Sequence, residues 1–206
     1  MSNEGLWEQL ENLDGAETAQ QAKCEYLSDK QHYIINLLNA EYTVNLIDKK
    51  IYSNNEDSPA KPASFLEELC ILAYLINAKE MPPANKLVRA ESLPGGQFFF
   101  RGIHKLPTEK LEKAFGTNQK ALLESSEQLN AQKCEYGDVS ISLFILPRLP
   151  LTIVIWHGDE EFEARASILF DQTAASHMPL DALLAAVNLA VNALIEASAV
   201  SSTSWN

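Results

Sequence analysis

The sequence is poor in cysteine and lacks the close cysteine pairs that structural metal sites use. Its 206 residues include three cysteines, Cys24, Cys70 and Cys134, which lie far apart in the chain. An odd number of distant thiols predicts reduced cysteines without a disulfide framework. A structural zinc or iron–sulfur site normally takes two ligands from one tight turn, so we do not expect such a site from this chain alone.

Basic residues are also few. There are 16 lysines and arginines against 28 aspartates and glutamates, which gives a net charge of −12 and a pI near 4.7. Nucleic acids and anionic membranes attract cationic surfaces. We therefore expect neither of them as a partner.

Long apolar runs and targeting signals are missing as well. Uninterrupted apolar stretches such as residues 143–146 are much shorter than the roughly 18 residues that cross a bilayer, so no spanning segment is expected. Residues 1–5 contain neither a basic nor an apolar stretch, which predicts no secretory signal and a cytoplasmic location. The glycine-rich loops of nucleotide-binding folds and a serine nucleophile elbow are absent from the sequence.

What remains is a globular composition, with 46% hydrophobic and 21% charged residues. We predict a helical N-terminal arm over residues 1–20, a single domain over residues 21–197 and a disordered polar tail over residues 198–206.

The apolar pattern predicts both helices and strands. Spacings of three and four predict helices at residues 4–12, 64–79, 107–115, 118–130 and from Pro179 onward. Alternating or continuous apolar runs predict strands at residues 33–38, 41–47, 139–146, 151–156 and 164–170. The first two runs predict a hairpin, the continuous run at residues 151–156 predicts a central strand, and the turn-rich residues 53–63 predict a loop. Helices and strands do not alternate regularly, so we predict an α+β fold: a single domain with a mainly antiparallel sheet, flanking helices and a long C-terminal helix.

A Leu-Pro-Gly-Gly motif at residues 93–96 separates two runs that are predicted to be extended, residues 87–92 and 97–101. Pro94 and Gly95 fit the central positions of a type II turn, because proline fixes the first φ and glycine accepts the positive second one. The motif therefore predicts a hairpin turn.

The same turn could present successive backbone N–H groups to an anion, with basic and aromatic side chains nearby. The candidate ligand-binding residues of this segment are Arg89, Pro94, Gly95, Gly96, Phe99, Arg101 and His104. A plain turn, with Phe98 and Phe100 packed on one face of a sheet and Phe99 on the other, explains the same residues without a ligand.

An acidic segment follows the predicted strand at residues 151–156. Its candidate ligand-binding residues are Trp156, Asp159, Glu160 and Glu161, and its candidate ligands for a divalent metal are His157, Asp159, Glu160 and Asp171. The same carboxylates could instead form a general acid–base pair. The simpler interpretation is a hairpin turn at residues 158–159 with solvated glutamates, and Asp171 capping a helix.

Taken as an ordered set, several motifs resemble domain of unknown function family 3786 over about residues 22–197. The motifs are residues 93–96 with Phe99, Phe115-Gly116, Gly137-Asp138, residues 146–150, residues 156–162 and Leu169-Phe170-Asp171. The resemblance implies a protein of anaerobic bacteria and archaea whose relatives carry an N-terminal iron–sulfur segment or lie near corrinoid and one-carbon enzymes. It supplies no catalytic residue, and the cofactors it leaves open are a divalent metal and a corrinoid-type group.

Our leading hypothesis is a cytoplasmic module that holds a small molecule or a partner protein in anaerobic metabolism. It would use the turn at residues 94–96 and the loop at residues 159–161, which the resemblance favours as parts of one surface. The alternatives are a metal-dependent, hydrolytic enzyme and a structural subunit, for example of a homo-oligomer, whose acidic face serves assembly.

Overall fold

The computed structural model describes residues 3–54 and 60–203, and side chains as far as residue 199. Within these residues the chain forms two antiparallel five-stranded sheets and eight α-helices, so the predicted α+β class is confirmed. The strands form two sheets rather than one, and a long C-terminal helix packs against the other helices and the second sheet.

Two short helices begin the chain. The helix predicted at residues 4–12 is confirmed as α1, Glu4–Glu11. A second helix, α2, spans Gly15–Ala22 and was not predicted from the sequence. The α2 helix forms because the Asp14 carboxylate accepts a hydrogen bond from the Glu17 N–H at 2.8 Å and so caps the first turn. On α1, buried Trp7 donates its indole N–H to Glu68 at 3.0 Å, which fixes the N-terminal arm to the domain.

The first sheet is a meander whose strands lie side by side in chain order. The strands are β1 Glu25–Leu27, β2 His32–Leu37, β3 Ala40–Asn45, β4 Lys50–Asn54 and β5 Lys61–Pro62. The predicted hairpin is confirmed, and its two turn residues, Leu38 and Asn39, have φ values of 50° and 67°. Positive φ at both positions matches a type I′ turn, which follows the twist of the paired strands. Part of the loop predicted at residues 53–63, namely residues 55–59, lies outside the described residues.

The helix predicted at residues 64–79 is confirmed as α3, Phe65–Asn77. It begins with a capping box in which the Ser64 hydroxyl accepts from the Glu67 N–H and the Glu67 carboxylate accepts from the Ser64 N–H. The middle of α3 is buried against both α1 and the C-terminal helix.

The second sheet has the strand order β6-β10-β9-β8-β7. Its strands are β6 Leu87–Arg89, β7 Gln132–Cys134, β8 Val139–Leu146, β9 Leu149–Trp156 and β10 Arg165–Asp171. The apolar β9 strand is central, as its continuous apolar run predicted. The pairing of β8 with β9 shifts register between Phe144 and Leu146, which marks a β-bulge.

The segment after β6 is not the predicted hairpin. Gly95 has a φ of 77° and the Gly96 N–H donates to the Leu93 carbonyl at 2.8 Å, so the type II turn itself is confirmed. The chain then enters a short helix, α4 Gly96–Phe99, instead of a strand. A Cβ on Gly96 would lie 1.9 Å from the Ala90 carbonyl oxygen, so the glycine lets α4 pack directly against the 3₁₀ turn Ala90–Ser92.

The remaining helices flank the sheets. They are α5 Thr108–Phe115, α6 Gln119–Gln128, α7 Ala174–His177 and α8 Leu180–Thr203. The helix α8 continues through the start of the predicted disordered tail, and residues 204–206 of that tail lie outside the described residues.

The α8 helix is also long and apolar enough, over Leu180–Ala199, to cross a membrane by length and composition alone, and it is the one such helix in the described residues. About 44% of that stretch is buried, in contact with α3 and α6. Because buried core helices pass the same test, we interpret α8 as the central helix of the fold.

Candidate functional site

The four residues considered as metal ligands do not converge. His157, Asp159 and Glu160 lie before the first residue of β10, whereas Asp171 is its last residue. Seven strand residues span about 20 Å, so Asp171 lies at the opposite end of the sheet. Among the described residues, no group of three or more His, Cys, Asp or Glu side chains is arranged to hold a metal ion. The geometry therefore does not provide the predicted metal site.

Asp171 instead holds the segment that leads into β6. Its buried carboxylate accepts hydrogen bonds from the N–H groups of Ala84 and Lys86 and from both the N–H and the hydroxyl of Thr173, at 2.7–3.3 Å. Burial by itself raises the pKa of Asp171, but these hydrogen bonds outweigh it and the pKa is lowered. All four donors stabilise the ionised carboxylate, which makes Asp171 a structural residue.

The acidic loop between β9 and β10 is closed by Asp159. Its carboxylate accepts from the N–H groups of Glu161 and Phe162 at 2.8 and 2.7 Å, and these bonds lower its pKa. Glu160 and Glu161 are exposed. Asp159 thus forms a turn with the backbone that follows it, inside a loop over residues 157–164 rather than a tight hairpin turn at residues 158–159.

Three of the family motifs meet at this end of the sheet. The Gly116 carbonyl accepts from the Gly158 N–H at 3.3 Å and from His157 Nδ1, which lies 2.9 Å away. The backbone N–H of His157 donates to the Asp138 carboxylate at 2.8 Å. His157 Nε2 is buried and has no partner among the described residues. The motifs thus bind the loop after α5, the start of β8 and the acidic loop to one another.

The turn at residues 94–96 and the acidic loop lie at different ends of β10 and do not form one surface. Gly95 approaches Leu180 at the start of α8, and the ring of Phe100 lies 6.1 Å from that of Phe170, near the last residue of β10. The acidic loop precedes the first residue of the same strand. The sequence pattern could not distinguish these arrangements, because both segments adjoin β10.

The aromatic run after the turn packs locally. Phe99 stacks on His104, with ring centroids 4.6 Å apart and planes that are nearly parallel, and Phe99 also contacts Phe100 edge to face. Because the residues form a helical turn, they do not alternate between two sheet faces as predicted. Arg101, next in the chain, is exposed.

A cavity of about 540 Å³ lies beside β10, and we call it the edge cavity. It is lined by residues 165–169 of β10 together with residues 89–91, Phe100, Leu106 and several charged side chains. The strand β6 pairs only with residues 169–171, so the preceding residues of β10 have no strand partner on this side. The cavity therefore opens along exposed strand edge, a place where backbone groups are accessible to a ligand.

The edge of β10 is partly occupied by a side chain of α5. The Glu112 carboxylate accepts from the Ala166 N–H at 2.9 Å, in the position where a neighbouring strand would place a carbonyl. This hydrogen bond blocks strand pairing at one residue while the cavity beside it remains open. The size of the cavity is in the usual range for small-molecule sites, about 300–1,000 Å³.

Charge distinguishes the edge cavity from the rest of the acidic surface. Arg89, Lys105 and Arg165 line it, and within the described part of the chain none of the three has a side-chain hydrogen bond or an ion pair. Two acids, Glu91 and Glu109, also line the cavity, so its charge is +1 in a chain of charge −12. Arg89 was among the predicted residues, whereas Lys105 and Arg165 were missed because they come from distant segments that only the fold brings to one cavity.

Comparison with known proteins gives one match. The family model described as Domain of unknown function (DUF3786) matches residues 14–193, from the cap of α2 to well inside α8. Searches of curated proteins and of solved structures found no similar chain.

Proposed function

The chain belongs to the DUF3786 family, whose description assigns no function, and we propose that it is a binding module for a small organic anion. The observation that carries the proposal is the meeting of three unpaired basic side chains, Arg89, Lys105 and Arg165, on the edge cavity. In a chain with 28 acidic residues, basic groups without acidic partners that line one concavity favour an anionic ligand.

The chemistry of the three side chains limits the ligand. Arginine donates two parallel hydrogen bonds to a carboxylate or a phosphate, and lysine adds a point charge. Glu91 and Glu109 on the same wall disfavour a large negative charge. We therefore propose a ligand with one or two anionic groups, such as a dicarboxylate or a small phosphate ester.

The family resemblance supports a setting for this activity. We propose that the module works in the cytoplasm, in anaerobic metabolism, and passes its ligand to or from a partner protein. Phe98 and Ile103 lie on either side of the cavity residue Phe100 in the chain. Their apolar side chains are exposed, so a partner could cover them.

Calorimetric titration of the full chain with succinate, inorganic phosphate and neutral succinamide tests the proposal. We expect succinate or phosphate to bind and succinamide not to bind. A bound anion at 100 times its Kd raises the free energy of unfolding by about 2.7 kcal/mol, which thermal unfolding detects independently. Equal effects of succinate and succinamide, or no binding of either anion, would contradict the proposal.

Matched variants locate the site. Arg165→Gln and Arg89→Gln each remove one charge from the edge cavity, and we expect each to weaken the binding of the anion at least tenfold. Lys133→Gln removes one charge from β7, at the other edge of the same sheet, and we expect no change. A loss of affinity that is as large in Lys133→Gln would show that binding follows net charge rather than the cavity.

A further inference from the structure

A second cavity, of about 350 Å³, lies where the two sheets meet. The β2–β3 turn, the end of α6 and the end of β8 surround it, and we call it the amide cavity. Its polar lining consists of Lys23, Asn36, Asn39 and Asn130, and Phe144 is its aromatic wall. It shares no lining residue with the edge cavity.

The wall of the amide cavity is formed by the β-bulge of β8. The Leu38 N–H donates to the Ile145 carbonyl at 2.9 Å, so the bulged residue joins the first sheet to the second. The neighbouring Phe144 is 54% exposed although it lies within a strand. Bulges commonly redirect a side chain toward a binding site, and here one leaves an aromatic ring beside a cavity.

The polar side chains of the amide cavity are free to bind a ligand. Within the described residues, the side chains of Lys23, Asn36, Asn39 and Asn130 form no hydrogen bond and no ion pair. Each carboxamide offers two N–H donors and a carbonyl acceptor, and the lysine adds three donors and one positive charge.

Backbone conformation fixes how these side chains are presented. Lys23, Asn39 and Asn130 have φ values of 55°, 67° and 52°, and Leu38, also on the lining, has 50°. Leu38 and Asn39 are the turn residues of the β2–β3 hairpin and Lys23 is the C-cap of α2, so these positive φ values belong to turns and helix ends. Four of the seven non-glycine residues with positive φ in the described chain line this one cavity.

The combined chemistry matches a nucleobase that carries a phosphate. An aromatic ring stacks on the flat face of a base, asparagine amides pair with the donors and acceptors on its edge, and an ammonium group binds a phosphate. The remaining lining, which includes Leu38 and Leu129, offers apolar surface beneath such a ring. We propose that the amide cavity binds a mononucleotide, with its base on Phe144 and the asparagine amides and its phosphate on Lys23.

Titration with AMP, GMP, CMP and UMP, and with adenosine and ribose 5-phosphate, tests the base and the phosphate separately. We expect at least one mononucleotide to bind at least tenfold more tightly than ribose 5-phosphate. The Lys23→Gln variant should weaken the binding of that mononucleotide and leave the binding of its nucleoside unchanged. If no mononucleotide binds, or if ribose 5-phosphate binds as tightly, the proposal is wrong.

Variants that keep the backbone conformation give the sharpest control. Asn39→Gly removes a cavity amide while glycine still accepts the positive φ, and we expect at least tenfold weaker binding of the mononucleotide. Asn85→Gly makes the same change at an exposed residue with a φ of 54° outside the cavity, and should have no effect. Equal losses in the two variants would overturn the assignment.

The Arg165→Gln background separates this proposal from the anion proposal. Succinate binding should be at least tenfold weaker there while mononucleotide binding persists, because Arg165 does not line the amide cavity. If mononucleotide binding disappears in Arg165→Gln and persists in Asn39→Gly, the nucleotide occupies the edge cavity and the present inference fails.

Discussion

The backbone N–H of Arg148 donates to the hydroxyl of Tyr74 at 3.0 Å, and this bond ties the β8–β9 turn to helix α3. The same hydroxyl donates to the Ala22 carbonyl at 2.9 Å. The Arg148 guanidinium donates to the carbonyls of Gln20, Gln21 and Met81 at 2.8–3.3 Å. One arginine of the family motif at residues 146–150 therefore joins the second sheet to the end of α2 and to the segment after α3.

We expect Tyr74→Phe to destabilise the fold by about 1–3 kcal/mol. The change leaves the Ala22 carbonyl and the Arg148 N–H without their common partner at a side chain that is fully buried. Urea unfolding measures the effect, with Tyr136→Phe, at an exposed tyrosine, as the control. An equal effect of both substitutions would show that the buried hydroxyl does not hold these segments together.

His177 should make the fold less stable below about pH 6.5. Burial lowers its pKa, and the nearby Arg148 lowers it further, while Asp171 acts in the opposite direction. The folded protein thus keeps the ring neutral at pH values where the unfolded chain binds a proton. The contribution of His177 to stability is complete above the unfolded pKa of about 6.5 and is lost as the pH falls toward the lower pKa of the folded state.

Unfolding by urea from pH 7.5 to pH 5 measures this loss in the wild type and in His177→Asn. The difference in stability between the two should change with pH by at most about 1.4 kcal/mol per unit, with the wild type losing more in acid. A parallel pH dependence of the wild type and His177→Asn would exclude His177 as the cause.

The Gly96→Ala substitution should destabilise the protein by about 1–3 kcal/mol, since the new methyl group would collide with the Ala90 carbonyl. Gly5→Ala is the matched control, because no atom lies within 4 Å of its Cβ position and Gly5 lies within α1. We expect Gly5→Ala to stabilise by about 0.5 kcal/mol, since alanine favours helix. Thermal unfolding of both variants gives the comparison, and equal destabilisation would contradict the packing argument.

The three thiols should react at different rates in the native protein. Cys70 is fully buried, and burial raises the pKa of both Cys70 and Cys24 to about 12. Cys134 lies on the edge strand β7, where it is less buried, so burial raises its pKa by a smaller amount. Because the thiolate is the reactive form, Ellman's reagent at pH 8 should label Cys134 first.

Peptide mass spectrometry identifies the labelled thiol, and Cys134→Ser should abolish the fast phase. Cys24 and Cys70 should react when the protein unfolds in urea. Fast labelling of Cys70 in the native state would show that α3 and α8 separate readily, since the Cys70 thiol contacts the Ala182 carbonyl at 3.8 Å.

Local sequence signals predicted the elements whose cause is local. The serine–glutamate pair at residues 64 and 67 marks the start of α3, and the continuous apolar run of β9 marks a central strand. The proline and glycine of residues 94 and 95 predicted the right turn type. The composition of the phenylalanine run after that turn is typical of a strand. The close approach of Gly96 to Ala90 favours a helix instead, and a local sequence pattern does not reveal that contact.

The candidate sites were less accessible to sequence reasoning. The edge cavity joins residues 89–109 to residues 165–169, and the amide cavity joins Lys23 to residues 129–130 and 144–147. No local spacing connects such distant segments. Asp171 was noticed for its charge, yet two of its four hydrogen-bond donors come from the segment before β6, so its role follows only from the fold.

The strand order also has a consequence for when the edge cavity forms during folding. Every pair in the first sheet joins strands that are neighbours in the chain, so its loops close at little entropic cost. The second sheet is completed when β6 pairs with β10, although several helices and strands separate the two in the chain. Such a long-range pairing forms slowly. We therefore expect the edge cavity to form with this long-range pairing, after the local pairings of the first sheet, so that a partly folded chain with only its first sheet carries these basic side chains without a site.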